Sequence, residues 1–144
     1  MTAFLLDVNV LIALIDPAHV QHDIAHRWFG NEGHHAWATC PLTENGVARI
    51  VGHPRYPGCP GTPGAIAVLL SQVCTLSGHK FWPDDISLLD DTKIDAARLL
   101  SHGQVTDSYL LALAHAHKGK LATLDRRLVT SAVRGGAASL HVVV

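Results

Sequence analysis

Close to the start of the chain lies the run F-L-L-D-V-N-V-L-I-A-L, Phe4 to Leu14, in which an otherwise apolar sequence is broken by Asp7 and Asn9. A carboxylate in such surroundings is costly to bury unless something compensates it. Read as a single strand, Phe4 to Ile15 would hold 12 residues, about twice the usual five or six. A break at Asp7-Val8-Asn9 resolves this. Phe4 to Leu6 becomes a buried strand, Val10 to Ile15 a short apolar helix ending before Pro17, and Asp7 stands at the carboxyl end of the strand. The run is too short and too interrupted to cross a bilayer, and it has neither the basic leader nor the small-residue cleavage site of a signal peptide. It is therefore expected to be a structural element of a cytoplasmic protein with no membrane partner.

The same reading continues along the chain. A helix is expected over Val20 to Phe29, with Ile24, Ala25 and Trp28 facing inward, and a buried strand over Ala36 to Thr39. Pro41 opens the next helix, with Glu44 in its first turn and Leu42, Val47, Ile50 and Val51 gathered on one side. Gly52 to Gly64 holds four prolines and four glycines in 13 residues, which excludes helix and central strand and predicts a surface loop. Further helices are expected over Ala65 to Cys74, Thr92 to Leu100, and from a cap at Thr106-Asp107-Ser108 through His117. Lys80 to Trp82, Leu121 to Leu124 and Leu140 to Val144 read as strands. Helices alternating with short apolar strands predict an α/β sandwich with a largely parallel sheet, and residues 1–144 read as one domain.

In an open parallel sheet, side chains just past the carboxyl ends of neighbouring strands converge on one crevice. Asp7 and Asp125 both occupy that position. Asp107 sits at a helix start and Glu44 in a first turn, where backbone amides stabilise a carboxylate. Singly, Asp107 reads as a cap, Glu44 as a dipole partner and Asp125 as a turn residue. Together they would repel, since two carboxylates ~4 Å apart at an effective dielectric of 20 cost about 4 kcal/mol. Four such acids call for cations. Oxygen donors without cysteine select hard ions such as Mg²⁺ or Mn²⁺. In this reading Asp7 holds metal and Asn9 orients it or a bound water.

Net charge is -1 with histidines neutral, so any polyanion must meet a local basic patch. Lys118, Lys120, Arg126, Arg127 and Arg134 form such a group in sequence, five of the eleven lysines and arginines within the last 27 residues. Cys40, Cys59 and Cys74 form no C-x-x-C pair, which points to reduced, partly buried thiols. His22 and His26 stand at i, i+4 and could make half a zinc site, but no further ligands are spaced to join them.

F-L-L-D-V-N-V-L, P-L-T-E-N-G-V-A-R-I, V-T-D-S-Y-L-L-A-L-A and L-A-T-L-D-R-R-L occur in this order from about residue 3 to the C-terminus. In that order they resemble a PIN-domain nuclease, and more narrowly the VapC-type toxins of bacterial toxin-antitoxin pairs. The resemblance implies a three-layer α/β/α fold with a central, mainly parallel sheet. It implies a Mg²⁺- or Mn²⁺-dependent endoribonuclease with Asp7, Glu44, Asp107 and Asp125 as acidic cluster, Asn9 and Thr106 in support, a cognate VapB-like antitoxin and a homodimer. Some relatives carry one more acid shortly after the third motif, where this chain has Ser108, Tyr109 and Leu110. That departure bears on a second metal.

The residues permit phosphodiester hydrolysis by a metal-activated water, with Glu44 or Asp107 as the acceptor of its proton. Arg49, Arg126 and Arg127 are candidates for gripping RNA phosphates. Arg55 and Tyr56, in the Pro/Gly loop, pair a cation with a stacking ring in what reads as a substrate-selecting or dimer-contact flap. An aspartate-dependent phosphatase or phosphotransferase is the nearest enzymatic alternative, but it wants a second carboxylate where Asn9 stands. A non-catalytic PIN-like RNA-binding module is the other.

Overall fold

The computed structural model describes residues 2–144. Five strands, β1 (Phe4–Leu6), β2 (Trp37–Thr39), β3 (His79–Phe81), β4 (Lys120–Thr123) and β5 (Leu140–Val142), form one sheet in the order β3-β2-β1-β4-β5. Every pairing is parallel. The helices are α1 (Val8–Ile15), α2 (His22–Asn31), α3 (Pro41–Val51), α4 (Pro63–Val73) and α5 (Gln104–Ala116).

Alternation along the central strands sends successive side chains into two cores. Phe4, Leu6, Trp37 and Ala122 pack with α1 to α4 on one face. Leu5, Ala38 and Leu121 pack on the other with Leu110 to Ala114 of α5, Trp82 and Ile94. The result is three layers, α/β/α, with β1 buried on both sides as its unbroken apolar sequence requires. The chain passes from β1 outward through β2 to β3, then returns to β4 on the other flank of β1. The sheet therefore reverses its direction of growth between β1 and β4, the place where such folds open a crevice.

Several expectations need correction. No helix forms over Thr92 to Leu100; that segment has one short 3₁₀ turn, Ala96–Arg98, and Ile94 is anchored by a bridge to Val133. Ile94 and Leu99 pack against the second core, and the hydrogen bonds that form, such as Ile94 N to the Asp90 carbonyl and Leu99 N to the Ala96 carbonyl, stay isolated turns. Helix α5 begins at Gln104 with Gly103 as N-cap, so Asp107 lies in its first turn and is not the cap. On α3, Thr43, Val47 and Val51 face inward, whereas Leu42 and Ile50 are exposed. Helix α1 starts at Val8, two residues earlier than the apolar run suggested, because Asp7 itself is its N-cap.

The cations that cluster in sequence are spread out in the fold. Lys118 and Lys120 lie at the amino-terminal end of β4, while Arg126 and Arg127 lie beyond its carboxyl end. The five cations are thus not one patch, and Arg134 donates through Nε to the Asp91 carbonyl at 2.7 Å. The three cysteines are free thiols, with Cys40 buried and its pKa pushed up to about 11 by that burial. His22 is engaged through Nδ1 with the Ala13 carbonyl at 2.7 Å. Among the described residues no helix is long and apolar enough to cross a membrane.

Candidate active site

Asp7 ends β1 and caps α1 in one stroke. Its Oδ1 accepts from the Val8 amide at 2.8 Å, satisfying one of the orphan donors at a helix start. Its Oδ2 accepts from the Thr123 hydroxyl at 2.8 Å. Only 7% of the residue is exposed. Burial pushes its pKa up, against the lowering effect of the Thr123 and Val8 hydrogen bonds, and Asp125 adds a smaller upward push.

Thr123 is the hub of this arrangement. It also receives the Asn9 side-chain amide at 3.1 Å and the Asp125 backbone amide at 3.1 Å. Asn9 accepts in turn from the Leu124 amide at 3.1 Å. Both ends of the Asn9 amide are thus committed to β4 and its exit, and Asn9 reaches Asp7 through Thr123. The Asp125 carboxylate accepts from the Arg127 amide at 2.9 Å, a local turn that leaves Asp125, Arg126 and Arg127 exposed past the strand end.

Asp107 approaches from α5. Its pKa is pushed up to about 6, first by burial and then by the charges of Asp7 and Asp125. Asp7, Asp107 and Asp125 thus share one electrostatic neighbourhood. Asp7, Thr106 and Asp107 line a groove of about 330 Å³ together with Asn45, Arg49 and Ile50 of α3.

Glu44 stands apart from these three. Its Oε2 accepts from the Thr39 hydroxyl at 2.7 Å, and Thr39 meets His79 Nε2 at 2.8 Å. Glu44 lines an adjoining groove of about 350 Å³ between α3 and α4, and Asn45 borders both. Arg49 and Ile50 border a third recess on the far side, shared with Arg55 and Tyr56. Sequence reasoning missed Thr123, Thr39 and Asn45. Thr123 had one available signal: it is the last residue of β4, two before Asp125, at the carboxyl end of the strand where such folds open a crevice.

The donor set suits a hard divalent ion. Among the described residues no three acidic, histidine or cysteine side chains converge closely enough to enclose a metal by themselves. Mg²⁺ and Mn²⁺ do not need such a cage, since one or two carboxylates with water completing the shell suffice. Burial first, and then repulsion from Asp7 and Asp125, raises the Asp107 pKa, and that repulsion is what such an ion would relieve.

A parallel sheet of this order, with carboxylates from β1, α5 and the exit of β4 beside one crevice, is the arrangement of a PIN domain, and the PIN-domain family profile matches residues 4–133. The chain belongs to the PIN-domain family. Its curated relatives include Ribonuclease VapC44 of Mycobacterium tuberculosis, 45% identical over 131 residues covering 91% of this chain and 92% of that protein. Ribonuclease VapC39 of the same organism is 44% identical over 135 residues, covering 94% and 96%. Among solved structures, the fold is shared with M. tuberculosis VapC20, described as a sarcin-ricin loop cleaving toxin, at a TM-score of 0.62 and 10% identity over 90% of this chain and 93% of that one.

Proposed function

We propose that the protein is a divalent-metal-dependent endoribonuclease and the toxin of a VapBC-type pair, cutting RNA at the groove between α1, α3 and α5. The observation that carries this reading is the coupling of Asp7, Asp107 and Asp125 beside one groove, each from a different segment. The VapC ribonucleases it resembles along nearly their whole length support it.

Asp7 and one neighbouring carboxylate would hold Mg²⁺ or Mn²⁺. When bound, such an ion supplies neutralisation of phosphate charge and a water of lowered pKa. The remaining work falls to the chain. Thr123 and the Val8 amide fix Asp7 so that its oxygens need not reorganise. Asp107, which lines the groove beside Asp7, would accept the attacking water's proton, whereas Glu44 is bonded to Thr39 in the adjoining groove. Arg49, Arg126 and Arg127 are exposed and free of ion pairs among the described residues, as side chains gripping successive phosphates must be.

Asn9, tied to β4, replaces the second acid that an aspartyl phosphatase would use. Exposed Leu42, Ile50, Val68 and Leu69 on α3 and α4 offer apolar area for a VapB-like antitoxin or a second copy.

The test is incubation of structured RNAs with the protein and Mg²⁺ or Mn²⁺, with and without EDTA, beside Asp7→Asn. Metal-dependent internal cuts lost in the variant support the reading. Intact RNA together with phosphate release from small esters sinks it in favour of a phosphatase.

A further inference from the structure

The Pro/Gly segment between α3 and α4 is laid down as a series of turns. Tyr56 N donates to the His53 carbonyl at 2.9 Å and Cys59 N to the Tyr56 carbonyl at 2.9 Å. The Tyr56 hydroxyl is bonded to Asp16, and its ring packs against the larger core. At the entry to the segment, a Cβ on Gly52 would lie 2.6 Å from Pro63 Cα, so the two ends of the loop are in direct backbone contact. The expected flap is therefore an ordered platform.

This platform borders a recess of about 290 Å³ lined by Arg49, Ile50, His53, Arg55 and Tyr56. That is just below the roughly 300–1,000 Å³ typical of sites for whole drug-sized ligands, a size for part of a nucleotide chain. The lining combines an aromatic ring, an exposed aliphatic side chain and two guanidinium groups, and it contains no acid. His53 Nδ1 accepts from the Arg55 amide at 3.0 Å, which leaves Nε2 as the ring's donor. Arg49 and Ile50 line both this recess and the Asp7/Asp107 groove, so the two adjoin across those side chains.

We infer that this recess is a preformed subsite for one unpaired nucleotide adjacent to the scissile phosphate, with Arg55 and Tyr56 determining which base is accepted. The inference rests on the ribonuclease reading above and extends it. A base in a duplex is stacked on both faces and must leave the helix to enter a pocket of this size. Arg49, shared by groove and recess, bridges the two by holding the phosphate between them. Because Tyr56 is already anchored, binding costs little loop ordering.

The test compares cleavage of a single-stranded RNA with that of the same RNA carrying an abasic residue on one side or the other of the cut. Wild-type protein should cut one of the abasic substrates about tenfold more slowly, the effect of a lost base stack. Arg55→Ala, at an exposed side chain, should shrink that penalty severalfold. An equal rate on all three substrates overturns the subsite, as does a loss in Arg55→Ala that is the same for intact and abasic RNA.

A binding arm separates this from the nuclease reading. Asp7→Asn is titrated with single-stranded RNA carrying 2-aminopurine at each position in turn, and in parallel with a polyglutamate peptide. Quenching at one position, abolished by Arg55→Ala, supports a base site even if no cutting is seen, in which case only the nuclease reading fails. Arg55-dependent binding of the peptide with none of the RNA overturns the proposal and makes the recess a protein-docking site.

Discussion

Thr123 donates its hydroxyl to Asp7 Oδ2 at 2.8 Å while accepting from the Asn9 side chain and the Asp125 amide. One fully buried hydroxyl on β4 therefore sets the orientation of the carboxylate at the end of β1 and the start of the turn that carries Asp125. Thr123→Val keeps the shape and removes all three bonds. It should cost about 1–3 kcal/mol, the penalty for buried polar groups left unpaired, read as a lower urea midpoint. Thr123→Ser should retain most of both stability and RNA cleavage; equal losses in the two variants would show that the hydroxyl is not what matters.

The two groove acids, Asp7 and Asp107, and Glu44 should separate in kinetics. Asp7→Asn and Asp107→Asn are each expected to lower RNA cleavage by roughly 10²–10⁴, the range for a lost acid-base group or fixed electrostatic partner. Glu44→Gln should fall less, because Thr39 holds that carboxylate in the adjoining groove. A Glu44→Gln loss as deep as that of Asp7→Asn would mean that Glu44 turns into the Asp7 groove during the reaction.

Asp107 makes stability depend on pH. In the fold it holds its proton up to about pH 6, against 3.8 for the free side chain. Between those values the folded state binds more protons than the unfolded one, so stability declines as pH rises through the window and stays reduced above it. In metal-free protein the Asp107 carboxyl should favour the fold near pH 5 over pH 7.5, so Asp107→Asn is expected to change the stability difference between those pH values by about 1 kcal/mol once solvent screening is allowed for. Denaturant melts of both proteins at the two pH values measure it. Adding Mn²⁺ should stabilise the wild type at the higher pH, and EDTA should reverse this.

Ser108 follows Asp107 on α5 and is fully buried with its hydroxyl unpaired. Ser108→Ala removes a desolvated polar atom at almost no change in volume. It should raise stability by about 1 kcal/mol, visible as a higher urea midpoint with an unchanged slope.

Gly78 holds φ at +87° just before β3, and a Cβ there would lie 2.2 Å from the His34 carbonyl oxygen. Gly78→Ala should destabilise by at least about 1 kcal/mol, since strain and clash both oppose it. Insensitivity of the melting temperature to this change would place the β3 edge outside the cooperative unit.

Much of this protein follows from local sequence. The break at Asp7, the strand ends bearing Asp7 and Asp125, and the loop rich in proline and glycine all follow from period, length and backbone chemistry, which depend on near neighbours alone. The Thr92 to Leu100 segment shows the limit: its helical pattern was outweighed by packing of Ile94 and Leu99 under α5. Tertiary structure alone decided that Thr123, 116 residues from Asp7, would orient it, that Thr39 would take Glu44 to a neighbouring groove, and that Lys118 and Lys120 would lie at the opposite end of β4 from Arg126 and Arg127. The reason is geometric. A hydrogen bond requires its partners within about 3 Å, and only the order of strands in the sheet settles which distant segments come that close.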